Sequence, residues 1–279
     1  MMIQLRRYLL EKKYYFRNQK DRVPPYSYKE FCKKLSDNAE LKCISMNKYL
    51  RLKDKKEKFM LIRHDVDHDI WTAKKMAVIE TENNIQSTFF ILHTAPYFRN
   101  NVKQTMKICR EIQSLGHEIG LHNNLITSFF KNNTDPYREL CELMNLFKKE
   151  GISISGTAAH GSRFIQNINK SLDKNSIIKY ANYFVFSEIY RNKLMLTKDK
   201  ILPPDLIFNN IKLKLPCINM SDFDLHYEAY FIHFDKYVSD AGRKFWSVGN
   251  DPLKEINNLS NGDVLQCLLH PIWWKYYLN

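Results

Sequence analysis

Residues 58–69 read Lys58-Phe59-Met60-Leu61-Ile62-Arg63-His64-Asp65-Val66-Asp67-His68-Asp69. Lys58 to Arg63 is an apolar run with the look of a buried strand, and it leads straight into charge. On a strand, residues i and i+2 face the same way. Asp65 and Asp67 therefore point into one pocket, with Val66 on the opposite face. Two carboxylates held that close repel each other unless a cation separates their roles, one as ligand and the other as a base. The competing reading is a surface acidic cluster, or a helix N-cap at Asp69.

Working outward, the chain alternates strand and helix. Residues 72–83 read as a helix with Ala73, Met76 and Ala77 inward, and Ser87 to Leu92 as a strand. Residues 97–115 read as one helix closed by Gly116. His117 to His122 is the next strand, and Asp135-Pro136 opens a helix that ends at Gly151. Ile152 to His160 is strand-like, residues 183–235 are aromatic and less regular, Asp251-Pro252 opens a short helix, and Val264 to His270 is a final buried strand. Such alternation implies parallel strands with crossover helices, as an α/β barrel or a doubly wound sheet. The barrel is favoured because four apolar strands end in Asp or His: Asp65 with Asp67, His122, His160 and His270. In a parallel barrel all strand C-termini open on one face, where the active site lies.

Each histidine has a plain reading as a satisfied core residue. Taken together, Asp67, His122 and His160 supply one carboxylate and two imidazoles, a set that leaves positions open on zinc, iron or a similar divalent ion. His270, beside Trp273 and Trp274, suits a general acid against a sugar ring. No P-loop, dinucleotide fingerprint or G-x-S-x-G elbow is present.

The chain has 279 residues and a formal net charge of +13. Residues 1–60 hold 17 Lys/Arg against 7 Asp/Glu, so most of the basicity belongs to the N-terminal segment. Either it is a solvated surface or it contacts an anionic partner. Without a nucleic-acid motif, no nucleic acid is expected. Six cysteines, none in C-x-x-C spacing, read as reduced thiols. The patch Tyr8 to Leu10 is too short for a secretion signal, and no run reaches the roughly 18 apolar residues of a membrane span. A cytoplasmic protein is expected. Pro24-Pro25, then Ser27 with Glu30 as a capping box, divide a basic arm (1–26) from the main domain (27–279).

The series RHDVDHD, STFFIL, GHEIGLH and LLHPIWW resembles the polysaccharide deacetylase (NodB-type) superfamily, carbohydrate esterase family four, over roughly residues 28–279. The resemblance implies a distorted (β/α) barrel of about seven strands and divalent-metal-dependent removal of acetyl groups from N- or O-acetylated sugars. It implies Asp65 as catalytic base, Asp67 and His122 as metal ligands, and His270 as catalytic acid. The family's second metal histidine falls where this chain has Ile126, and its Arg-bearing third motif is not clearly present. His160-Gly161-Ser162-Arg163 resembles a variant branch, and His160 is taken as the replacement ligand, with zinc as the expected ion. Arg63, Arg163, Asp240, Trp246 and Trp273 are taken as substrate-binding; core packing is an equal role for the tryptophans. Glu228 is either a substrate-face or a surface residue. The substrate expected for a cytoplasmic enzyme is an acetylated carbohydrate precursor in surface polysaccharide assembly, with the basic arm resting on anionic membrane. The rival is an inactive carbohydrate-binding protein on the same fold.

Overall fold

The computed structural model describes residues 23–164, 182–189, 205–208, 210–246 and 249–279. The basic stretch 1–22, on which the expected membrane contact rests, lies outside the described residues. From Val23 on, the chain already belongs to the domain. Tyr26 lies flat on Phe31, ring centroids 5.6 Å apart, and its hydroxyl donates to Asp251 at 2.8 Å. Ser27 then caps α1 (Tyr28–Ser36) as its spacing to Glu30 implies: its Oγ accepts from the Glu30 amide at 3.1 Å. Such a cap contributes about 1 kcal/mol.

The polar stretch before Lys58 holds two elements that its composition hides, β1 (Leu41–Cys43) and α2 (Met46–Arg51). Then follow β2 (Lys58–Val66), α3 (Ile70–Glu82) and β3 (Thr88–Leu92). The single helix expected over 97–115 is two, α4 (Pro96–Asn100) and α5 (Val102–Ser114). Asn101 leaves helical geometry at φ −153°, and its side chain caps α5 by accepting from the Gln104 amide at 3.2 Å. After β4 (Glu118–Asn123) come α6 (Leu125–Asn132), α7 (Pro136–Lys149) and β5 (Ile154–Ala159). An antiparallel hairpin, β6 (Asp205–Phe208) and β7 (Ile211–Lys214), stands apart from the main sheet. Further along come β8 (Tyr227–Glu228), β9 (Lys236–Ser239), α8 (Pro252–Ile256), β10 (Val264–Leu269) and α9 (Pro271–Trp274).

Seven parallel strands run β8-β5-β4-β3-β2-β10-β9, with β1 beside the first residues of β2. From β2 the order follows the chain through β3, β4 and β5 to β8, passing over the separate hairpin, while β9 and β10 close back onto the other side of β2. The sheet is therefore a curled, distorted (β/α) barrel, open at the seam between β8 and β9, which are not paired with each other. This is the fold the strand–helix alternation implies. Helices cover the outer faces of the strands in two large apolar clusters, one built around Phe89, Ile91 and Leu121, the other around Ile62, Leu265 and Trp274. A third cluster fills the barrel itself, with Phe59, Leu61, Phe90, Tyr227 and Val264 over Met46 and Tyr49 of α2, which plugs the N-terminal end. The rings of Phe90 and Tyr227 occupy space that side chains on β4 and β5 would need. A Cβ at Gly120 would run into Phe90, and one at Gly156 into Tyr227. With the lower barrel packed solid, the C-terminal ends of the strands are where polar groups gather.

All six cysteines are free thiols. Among the described residues no helix is long and apolar enough to cross a membrane.

Candidate metal centre and active site

β2 alternates as its sequence dictates. Phe59, Leu61, Arg63 and Asp65 face into the barrel, while Met60, Ile62, His64 and Val66 face the helices. Arg63 grips Asp65 through two parallel bonds, Nε to Oδ1 and Nη2 to Oδ2, each 2.7 Å. Its guanidinium sits 4.2 Å from the centroid of the Tyr230 ring and 5.6 Å from that of Phe90. Arg63 is fully buried. The expected substrate contact is therefore corrected: Arg63 stands behind Asp65 and fixes it. Past Val66 the chain tightens, with the Asp67 amide donating to the Asp65 carbonyl at 3.0 Å, and the Asp67 carboxylate turns to the same side. The Tyr97 hydroxyl pins this bend, donating to the Val66 carbonyl at 2.6 Å and accepting from the Leu92 amide at 3.0 Å. Asp69 does cap α3, so the helix-cap reading holds for Asp69 alone.

His122 ends β4 on the face it shares with Gly120. Its Nδ1 lies 2.8 Å from the Ala158 carbonyl. A carbonyl only accepts, so Nδ1 carries the proton and Nε2 offers its lone pair to the barrel mouth. That Nε2 is 3.2 Å from Asp67 Oδ1 and 3.4 Å from Asp65 Oδ2. His160 follows β5. Its amide donates to the Asn123 carbonyl at 2.8 Å, its Nδ1 lies 3.4 Å from Asn124 Oδ1, and its Nε2 is 3.8 Å from Asp67 Oδ1. One ligand atom from each of Asp67, His122 and His160 lies within 4.8 Å of the others. Ligand atoms of a tetrahedral zinc, with bonds near 2.0–2.1 Å, stand about 3.3 Å apart. The donor set fits such an ion. In the neutral tautomer, a nitrogen lone pair faces a carboxylate oxygen across 3.2 Å, and Asp67 Oδ1 is buried without a hydrogen-bond donor. A divalent cation between them relieves that arrangement; so does a second proton on His122, whose pKa burial works to lower but the Asp65 and Asp67 carboxylates hold above its usual value. Ile126 lies on α6, fully buried in the outer core, and offers nothing here.

His270 follows β10 and faces the same mouth, its Nε2 3.9 Å from Asp67 Oδ2. Its Nδ1 meets Asp240 Oδ1 at 2.6 Å. Asp240, fully buried, also accepts from the His270 amide at 2.9 Å and from Trp274 Nε1 at 3.2 Å. The second correction is Asp240: it stands behind His270, held there by three donors, and is closed to substrate. Trp246 is a third. Its ring packs 6.2 Å from Phe31 and 6.4 Å from Trp274 in the outer helical layer. Trp273 is half-buried, 6.5 Å from the His270 ring, and Arg163 is exposed three residues past His160. Trp273 thus lies beside a residue of the mouth.

The charges are arranged unequally. Burial works to raise Asp65, but the Arg63 charge and then His122 outweigh it and hold the carboxyl below its usual range. Burial likewise opposes Asp67, which its bond to His122 and the His122, His270 and His160 charges bring well below that range. His160 is pushed down to about 4 by burial and by repulsion from His122, which keeps it neutral and able to ligate. For His270 burial lowers the pKa, but the Asp240 carboxylate overrides it and lifts it to about 9. Two ionised carboxylates, a neutral His160 and a protonated His270 thus share one mouth with His122, which Asp65 and Asp67 hold above its usual value. Such a separation of acid and base is the pattern of acid–base chemistry near neutral pH.

Glu228 is buried at the end of β8. Its oxygens accept from the amides of Ala159 and Tyr230 at 2.7 and 2.8 Å. It latches β5 to the seam and is neither a surface nor a substrate-face residue. Tyr230, Asn124 and Asn182 were missed by sequence reading. Arg63's true role had a signal, since it shares the i, i+2 face with Asp65, whereas Asn182 had none.

Comparison of the chain with protein-family models, curated proteins and solved structures returns no match.

Proposed function

We propose that the protein is a metal-dependent deacetylase that hydrolyses acetyl groups from an N-acetylated or O-acetylated sugar. The observation that carries this reading is the Asp67–His122–His160 cluster, with Asp65 on one side and a cationic His270 on the other. Asp67, His122 and His160 would hold the ion, zinc by the donor set; when bound, it supplies a Lewis acid and an acidified water. The chain's own residues do the rest. Asp65, ionised and immobilised by Arg63, accepts the proton of the attacking water at Oδ2, the oxygen turned toward His122. His270, protonated on both nitrogens, donates from Nε2 to the departing amine or alkoxide, while Asp240 keeps the ring in place. Trp273, beside His270, would meet a sugar ring at the mouth, and the exposed Arg163 is the further candidate for binding it. A carbohydrate precursor of surface polysaccharide is the substrate class, met at anionic membrane through the basic arm.

The test is acetate release from N-acetyl sugars by the zinc-loaded protein. Turnover that disappears on chelation and returns with zinc supports the proposal. A protein that binds acetylated oligosaccharide, takes up no zinc and releases no acetate is the inactive carbohydrate-binding protein instead.

A further inference from the structure

His160 is the unusual member of the metal cluster. It follows β5 rather than lying within it, so no sheet pairing on both sides fixes its ring, and α6 presents a core isoleucine at 126. A ligand placed on a loop end needs other supports, because metal affinity depends on how well outer partners orient the ring.

Those supports are on the page. Asn182 is fully buried. Its Oδ1 accepts from the Thr127 amide at 3.2 Å, and its Nδ2 donates to the His160 carbonyl at 2.8 Å and to Asn124 Oδ1 at 3.0 Å. An amide N–H only donates and a carbonyl only accepts, so the orientation of the Asn182 side chain is fixed from both ends. Asn124 Oδ1, holding one proton from Asn182, turns its other lone pair to His160 Nδ1 at 3.4 Å. Asn124 is itself anchored. Its backbone amide donates to His93 Nε2 at 2.9 Å, its Nδ2 donates to Thr94 Oγ1 at 2.9 Å, and His93 leans on Glu139 at 3.2 Å. One buried amide thus reaches His160 twice, directly at its backbone and through Asn124 at its ring.

We propose that Asn182 and Asn124 are a positioning pair for His160, holding it by backbone and ring so that Nε2 faces Asp67 in place of a ligand from position 126. This rests on the reading of Asp67, His122 and His160 as a metal centre. The pair touches neither ion nor substrate. It sets the tautomer, with the proton on Nδ1, and the direction of the Nε2 lone pair.

The experiment is a cobalt(II) titration of the full-length protein, followed by the visible absorption of four-coordinate cobalt, with thermal unfolding of each metal-free variant. Asn182→Leu is expected to weaken cobalt binding about 10- to 100-fold and to alter the visible band. Asn124→Leu should do the same. Asn124→Asp keeps both acceptor bonds and makes a stronger partner for the imidazole, so it should bind cobalt as tightly as the unaltered protein or more so. A merely structural role would not separate Asn124→Leu from Asn124→Asp. Should Asn182→Leu not fold, the Asn124 pair decides alone. Wild-type binding left unchanged in affinity and spectrum by Asn182→Leu, or by Asn124→Leu, overturns this proposal and leaves the metal centre standing. Absence of any cobalt binding by the unaltered protein removes the metal centre and this proposal with it.

Discussion

On the inner face of β2, Arg63 meets Asp65 at 2.7 Å; on its outer face, one residue along, His64 Nε2 meets Glu80 Oε1 at 2.7 Å. Both pairs are buried and both are anchored on β2, the inner one within the strand and the outer one reached by Glu80 from α3. The outer pair is closed in. Glu80 Oε1 also accepts from the Tyr28 hydroxyl at 2.5 Å and Oε2 from Ser87 at 2.6 Å, and Phe89 stacks on the His64 ring at 4.2 Å. Its side chains have no exposure at all. Inside, the groups next to the Arg63–Asp65 pair reach the barrel mouth, with 16% of the Asp67 side chain, 22% of His160 and 14% of His270 exposed. There, too, Asp67 Oδ1 is left without a donor. The outer cluster also holds an unpartnered atom, His64 Nδ1, but no solvent reaches it, and a polar cluster so enclosed ties helix to sheet. One with an unfilled acceptor at an opening is equipped to bind something.

Three variants test this contrast, ranked by their effect on rate. Asp65→Asn should lower deacetylation at least about 100-fold while zinc is still bound, as read by acetate release and metal analysis. It also leaves the buried Arg63 charge without its partner, so the midpoint of chemical denaturation should fall as well. Full activity in this variant would remove Asp65 as the base. Asp240→Asn comes next. With His270 held near 9, activity should persist until pH rises through that value and the imidazole loses its proton. Without the Asp240 charge, that alkaline limb should move toward the ordinary histidine value of about 6.5. At pH 8 only about 3% of the imidazole would then be protonated, roughly a 30-fold loss. An unmoved limb in a pH–rate profile would assign the titration to some other group.

Glu80→Gln should change the rate least. On the outer face it should cost on the order of 3 kcal/mol of stability and leave turnover within about twofold. Although burial works to raise it, Glu80 is held below its usual pKa chiefly by the His64 charge and the bond to that ring. The stability it contributes is therefore present above the unfolded value of about 4.3 and is lost as pH falls through the lower folded value. That acid-side decline should flatten in Glu80→Gln, measured by denaturation at pH 3 to 6. A large loss of turnover at full stability would mean that the two faces of β2 are not separable.

How far the sequence discloses this arrangement depends on range. Strand parity is local, so Asp65 with Asp67, and Glu118, Gly120 and His122 on one face of β4, can be read directly from residue spacing. The same parity puts Arg63 beside Asp65, and its assignment to substrate overlooked a signal that was present. Asp240 and His270 are thirty residues apart and meet because β9 pairs with β10, Ser239 opposite Leu268. Spacing carries no trace of that register. Asn182 sits in an aromatic stretch with no periodicity, and its partners come from α6 and the end of β5. The half of the barrel with regular β/α units is legible. The stretch from 183 to 235 is not, because the strands described there are only two to four residues long.

The central claim is that Asp67, His122 and His160 hold one divalent ion. The most direct measurement is anomalous diffraction at the zinc edge from crystals grown with one equivalent of zinc. The expected result is one strong peak per chain, at about 2.0–2.2 Å from Asp67 Oδ1, His122 Nε2 and His160 Nε2. A peak ligated elsewhere, one that excludes His160, or none at saturating zinc would contradict it.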